Sequence, residues 1–280
     1  MKHVEVLGQP AVELRAPDGA QATVLLHGAH IVSWTPAGGQ EQLYLSPRSA
    51  AGEGQAVRGG VPVIFPQFAA RGPLPRHGFA RTRAWHLVQS DTGPSHALAV
   101  LRLQDDEATR ALWPQAFEAE LTVSLAGRQL DIELAVHNTG ETGFEFSAAL
   151  HTYLRCDDID LLRLTGLHGH DYEDSVRGAA PGRQEIEPLI VVGEIDRIYW
   201  NVARPLRVDS PGRHVVLSAD GFDDAVVWNP GPQKCAALAD MPPDGWRHMM
   251  CVEAARIGEP VRLAPGQEWA GRQTLEASGR

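Results

Sequence analysis

Two short apolar segments each carry one side chain able to move a proton. In residues 146–155, Phe146, Ala148, Leu150, Thr152 and Leu154 take one face of an expected strand, leaving Ser147, Ala149, His151, Tyr153 and Arg155 on the other. His151 thus falls on a polar face. In residues 249–253, Met249, Cys251 and Glu253 share a face, so the carboxyl follows two sulfur-bearing neighbours. Partial loss of water there would raise its pKa, the condition of a working base. Taken singly, each residue has a plainer reading, a hydrogen-bonded structural histidine and an edge-strand charge.

A third feature is positive charge. Between Arg48 and His86 stand six arginines, at 48, 58, 71, 76, 81 and 83, against one acid, Glu53. This segment of +5 sits in a chain of net charge −10, which leaves the remainder near −15. Arginine outnumbers lysine 23 to 2 overall, so composition accounts for the residue type but not for the clustering. Arg58 precedes Gly59 and Gly60, and Arg76 and Arg81 flank Gly78, so the cations adjoin residues that permit close backbone approach. Guanidinium forks so placed suit a phosphate or a set of sugar hydroxyls. A solvated basic surface is the plainer alternative.

Other chemistries lack their residues. The chain has no G-x-S-x-G elbow, no G-x-x-x-x-G-K-[ST] loop, no G-x-G-x-x-G turn after a strand and no H-E-x-x-H helix. Among the twelve histidines, the pairs His27/His30 and His168/His170 could approach a metal. They read more simply as surface or loop histidines, and no metal or organic cofactor is expected. Cys156, Cys235 and Cys251 are odd in number, without C-x-x-C spacing, and read as reduced thiols. The acidic balance argues against a nucleic-acid partner. No apolar run approaches the roughly 18 residues of a membrane helix. Nor does an apolar stretch follow the charges of Met1–Glu5, so the expected location is the cytoplasm.

Short alternating strands must hold these residues. Phe117, Ala119, Leu121, Val123 and Leu125 alternate with polar residues, and after Gly127 the set Leu130, Ile132, Leu134 and Val136 does the same, which predicts an antiparallel hairpin. Further short apolar runs, among them 22–26, 97–103, 144–154, 214–219, 225–228 and 249–252, are separated by turns drawn from 28 Gly and 20 Pro. One helix is expected at 106–113, opened by acids and closed by Pro114. Without alternation of strands with long helices, and without a repeat, the expectation is an all-β protein. It takes the form of one large antiparallel β-sandwich over residues 1–280, with roughly 15 to 20 strands and few free edges, hence a monomer.

With these residues in view, the sequence resembles the glucose-6-phosphate 1-epimerase (D-hexose-6-phosphate mutarotase) family of the aldose 1-epimerase superfamily. Four blocks carry the likeness from about residue 25 to 275: Arg58-Gly-Gly-Val-Pro62 with Pro66-Gln-Phe68 and His77-Gly-Phe-Ala-Arg81; Ala149-Leu-His151-Thr-Tyr153 with Gly166-Leu167 and Tyr172-Glu-Asp174; Glu194-Ile-Asp196-Arg-Ile-Tyr199; and Val227-Trp-Asn-Pro230 with Cys251-Val-Glu253. The resemblance implies a galactose mutarotase-like supersandwich that binds a hexose 6-phosphate and interconverts its α and β anomers. It implies His151 and Glu253 as catalytic residues. Arg58, Arg76, His77, Arg81 and Asp196 would bind substrate, Arg58 and Arg81 where the family holds the phosphate and Asp196 where it holds sugar hydroxyls. Arg76 stands where the family often has Gln, and Gly231 where it often has an aromatic. The rival expectations are a non-catalytic sugar-phosphate sensor on the same fold, and a glycoside hydrolase or lyase with Asp157, Asp158 or Asp196 opposite Glu253.

Overall fold

The computed structural model describes residues 1–278. Among them run twenty β-strands in three sheets, and every ladder between strands is antiparallel. A four-stranded sheet in chain order comprises Lys2–Val6, Gln9–Arg15, Gln21–Leu25 and Ile31–Thr35. Two eight-stranded sheets face each other across the main core. The back sheet runs Arg163–Thr165, Leu206–Ser210, Arg213–Asp220, Glu268–Ala277, Gln129–Asn138, Phe117–Ala126, Ala97–Gln104, His86–Thr92. The front sheet runs Ala180–Arg183, Asp171–Asp174, Ile195–Tyr199, Asp224–Asn229, Met249–Leu263, Phe144–Leu150, Val63–Ile64, with Tyr153–Arg155 also paired to Met249–Leu263. The expected all-β sandwich is what the chain forms.

The predicted hairpin forms with Leu125 opposite Leu130 and Leu121 opposite Leu134. Its alternate residues are buried against Phe146, Leu150, Val252 and Ala254 of the front sheet. Each such Leu or Val stabilises the fold by roughly 1.5–3 kcal/mol, which is why a period-two pattern suffices to place these strands. The helix expected at 106–113 spans Glu107–Leu112. Asp106 accepts from the Thr109 amide at 2.7 Å, while Thr109 Oγ1 accepts from the Asp106 amide at 2.7 Å. A second helix, Gly231–Ala237, has no counterpart in the sequence expectation. It is too short to show an apolar period, and it is opened by the Asn229 side chain, whose Oδ1 accepts from the Gly231 amide at 2.8 Å. No helix among the described residues is long and apolar enough to cross a membrane.

One expectation needs correcting where it matters. Residues 144–154 are two strands, not one, broken at His151 and Thr152. Both pieces pair with Met249–Leu263 in the same register, Leu150 opposite Ala254 and Tyr153 opposite Cys251. That register sets His151 across from Glu253.

Candidate active site

Four neighbouring strands write the site as two rows on the outer face of the front sheet. One row is Ile198, Val226, Glu253 and, across the break, His151; the other is Asp196, Trp228, Cys251 and Tyr153. His151 Nε2 lies 3.3 Å from Glu253 Oε1. The imidazole stacks on the Tyr153 ring, centroids 4.8 Å apart and 13° from parallel, and meets the Trp228 and His77 rings edge-on. This face is therefore not the polar one expected for His151, because Ala149, His151 and Tyr153 are all buried. Glu253 is 2% exposed and sits on a central strand, which removes the edge-strand reading.

The arginine segment folds over these rows. Gly60 at φ 61° and Gly78 at φ 67° lie so close to their neighbours that a Cβ would fall 2.1 Å from the Ile31 and Phe65 carbonyl oxygens respectively. Only glycine allows that approach, and it draws Arg58 and Arg81 against the sheet. Arg58 Nε donates to Asp240 Oδ2 at 3.1 Å and its Nη1 to the Tyr153 hydroxyl at 3.1 Å, with the guanidinium 5.9 Å from the Trp228 ring centre. Arg81 Nη2 donates to the Arg76 carbonyl at 3.1 Å, while its buried Nε has no partner among the described residues. His77 adopts φ 67°, a left-handed conformation uncommon outside glycine. Its Nδ1 accepts from the Ala69 amide at 3.3 Å, which assigns the proton of the neutral ring to Nε2.

All seven expected site residues, Arg58, Arg76, His77, Arg81, His151, Asp196 and Glu253, line one cavity of about 500 Å³. That volume is in the range of small-molecule sites. Arg48 and Arg83 of the cluster stay outside it. Of the carboxylates weighed as hydrolase partners, Asp196 alone is in the cavity, while Asp158 pairs with Arg247 at 3.0 Å and Asp157 with Arg213 at 3.4 Å. Residues given no site role from the sequence complete the lining: Arg71 of the arginine cluster, Tyr153 and Trp228 of the family blocks, and Lys234, which belongs to neither. Lys234 is one of two lysines in the chain, a signal that was available; it pairs with Glu194 at 2.6 Å.

Burial and like charge govern the electrostatics. Burial holds His151 well below the ordinary histidine pKa, with His77, Arg81 and Arg58 adding to the effect. His77 is lowered to about 3 by burial and by Arg81, Arg76 and Arg58. Glu253 is raised well above the carboxylate range by burial and by Asp196, against the pull of Arg76 and Arg81. Asp196 is itself raised by burial, with Lys234 and Arg76 opposing. Burial also lowers Arg81, and Arg58 and Arg76 lower it further. The cavity thus pairs an acid–base couple biased towards its neutral forms with cations that repel one another.

His151, Cys251 and Glu253 offer donor atoms within 4.8 Å of one another, so a soft divalent ion would find ligands there. The histidine pairs considered in the sequence do not build such a site. His27 and His30 are buried, not surface residues, and bond singly at 2.7 Å to the carbonyls of Gln55 and Gly59. Cys156, Cys235 and Cys251 are free and buried.

Known proteins share the sequence pattern and the fold. The sequence pattern of the aldose 1-epimerase family matches residues 10–276. The chain belongs to the aldose 1-epimerase family. Two relatives provisionally named glucose-6-phosphate 1-epimerase are 33% identical over 96% of this chain and 85% of the protein from Cenchrus ciliaris, and 35% identical over 87% of this chain and 82% of the protein from Escherichia coli K12. A crystal structure from Salmonella typhimurium, provisionally identified as a mutarotase, superposes with a TM-score of 0.92 at 30% identity, covering 99% of this chain and 93% of that one. A galactose mutarotase related enzyme from Lactobacillus acidophilus, 15% identical over 96% of this chain and 98% of its own, has the same fold at a TM-score of 0.74. An aldose 1-epimerase is an isomerase that exchanges the α and β anomers of a sugar.

Proposed function

We propose that this protein interconverts the α and β anomers of a hexose 6-phosphate, with His151 and Glu253 as the proton-transfer pair and Arg58, Arg76 and Arg81 as the phosphate-facing wall. The observation that carries the reading is the buried 3.3 Å contact between His151 and Glu253 on the floor of a cation-walled cavity. Both groups are shifted towards their neutral forms, and in that state the pair holds one mobile proton, on Glu253. Passing it from Glu253 to His151 makes a carboxylate and an imidazolium in a dry site, where each is a strong base or acid.

The carboxylate then takes the proton of the C1 hydroxyl while the imidazolium protonates the ring oxygen, and the C1–O5 bond breaks to leave an aldehyde. Rotation about C1–C2 presents the other face. Reclosure reverses the roles: His151 recovers the proton from the C5 hydroxyl and Glu253 returns one to the carbonyl oxygen. Acid and base each contribute about 10²- to 10⁴-fold. Only protons pass between protein and substrate, so the side chains suffice. The crowded arginines bind the unreacting end of the substrate, an interaction expressed mainly in KM. Arg81→Met therefore raises KM for glucose 6-phosphate about 10- to 100-fold, the worth of one or two charge-assisted hydrogen bonds, and leaves free glucose nearly unaffected.

The test follows freshly dissolved α-glucose 6-phosphate to anomeric equilibrium by NMR, with wild-type protein, Glu253→Gln and His151→Ala, and repeats it with free glucose. Acceleration by wild type that both variants lose is expected. No acceleration for any sugar, with binding still measurable by titration, would overturn this reading in favour of a sugar-phosphate sensor.

A further inference from the structure

Behind the catalytic strands, one polar residue occupies an apolar slot. Gln273 lies on Glu268–Ala277 of the back sheet, whose other inward residues include Leu275 and Ala277, and it is 2% exposed. Burying an amide there costs several kcal/mol unless its hydrogen bonds are made, and here both ends are used. Gln273 Oε1 accepts from the Thr152 hydroxyl at 2.5 Å, and Nε2 donates to the Val252 carbonyl at 3.2 Å. The Val252 amide in turn donates to the Thr152 carbonyl at 3.0 Å. The three bonds close a ring that is buried between the two sheets.

Its members are the chain neighbours of the reacting pair: Thr152 follows His151, and Val252 precedes Glu253. The ring spans the place where the strand of His151 is broken and where the Thr152 amide turns back to the Leu150 carbonyl at 3.0 Å. A small pocket of about 20 Å³, partly open to solvent, borders Gln273, Val252 and Glu253.

We infer that Gln273 is a positioning residue: from the opposite sheet, with Thr152, it clamps the two catalytic strands so that His151 and Glu253 stay within proton-transfer distance. This rests on the reaction proposed above. Displacing reacting groups by as little as 1 Å costs on the order of 100-fold. Gln273→Met and Thr152→Val, which keep the volume and cut the ring, therefore lower kcat for glucose 6-phosphate about 10- to 100-fold with KM changed less than about twofold. Two conservative variants keep the ring. Thr152→Ser retains the hydroxyl. Gln273→Glu, as the neutral acid, retains one acceptor and one donor, so its activity approaches wild type at low pH and falls as the carboxyl ionises, a pH dependence that a mere packing role would not create.

The anomerisation assay on these four variants, with unfolding midpoints measured alongside, decides the matter. Should Gln273→Met fail to fold, Thr152→Val against Thr152→Ser decides alone. Wild-type kcat in a folded Gln273→Met or Thr152→Val protein overturns the clamp, as does a kcat loss that Thr152→Ser shares. A wild-type protein that accelerates nothing overturns the reaction instead. The clamp is then read from the ¹⁵N NMR signals of the His151 ring, expected to move in Thr152→Val and not in Thr152→Ser; unmoved signals in both would refute it.

Discussion

The two large sheets follow different rules. Along Gln129–Asn138 of the back sheet, buried residues alternate without a break with half-buried or exposed ones, as in any sheet with one dry and one wet face. In the front sheet, Asp224–Asn229 is buried at all six positions, and Met249–Leu263 at its first seven. The outer face of the front sheet is covered by the arginine segment, the short helix that carries Lys234 and the turn at Asp240, so residues that alternation would assign to water become the floor of a cavity. The proposed chemistry sits where a sheet has lost its wet face, because a carboxyl and an imidazole removed from water there are pushed towards neutrality, the condition in which they can exchange protons with a substrate.

Mutations should separate the two sheets. Glu253→Gln is expected to lower the anomerisation rate about 10²- to 10⁴-fold while the urea unfolding midpoint holds or rises, since the carboxyl is buried with Oε2 unpartnered among the described residues; a large stability loss would mean that the front-sheet row is structural. Leu134→Ala in the back sheet should do the reverse. It costs about 2–5 kcal/mol of stability and leaves kcat per folded molecule unchanged, as denaturant melts and active-site-normalised rates would reveal.

Acid should weaken the protein chiefly through its buried histidines. His30 and His77 are lowered to about 3, and His151 is lowered by the same cause, burial. Unfolding lets each return to about 6.5. The unfolded chain therefore binds protons that the folded one refuses, and stability falls as pH drops from about 6.5 towards about 3, by about 1.4 kcal/mol per pH unit each for His30 and His77, with His151 acting in the same direction. Glu253 acts in the opposite sense: its raised pKa makes stability decline as pH rises above the unfolded value of about 4.5, and Glu253→Gln should flatten that slope in urea midpoints taken from pH 5 to 8. The smallest effect belongs to the wet face of the back sheet. Arg102 pairs there with Glu120 at 2.6 Å, and Arg102→Ala should cost only about 0.2–1 kcal/mol, diminishing further in salt.

Much of the back sheet was legible, because one-sided burial writes itself as period two: the hairpin from Phe117 to Asn138 and the capped helix after Asp106 both occur where their residue types place them. The front sheet was less so. The run 144–154 concealed a break, since Leu150, His151, Thr152 and Tyr153 carry no Gly or Pro to mark one. Lys234 and Trp228 gave no periodic signal, and Gln273 looked like any polar residue on a strand that is wet on alternate sides.

The sequence by itself determined the strand-forming pattern, the excess of arginine around the glycine turns and the candidate acid and base. Local spacing and residue type are properties of the chain. Tertiary structure alone decided that Glu253 faces His151 rather than an aspartate, that four of the six clustered arginines share one cavity, and that the imidazole and the carboxyl are both dry. Those outcomes depend on strand register and on what covers a sheet's second face, and both are set by contacts between residues a hundred or more positions apart.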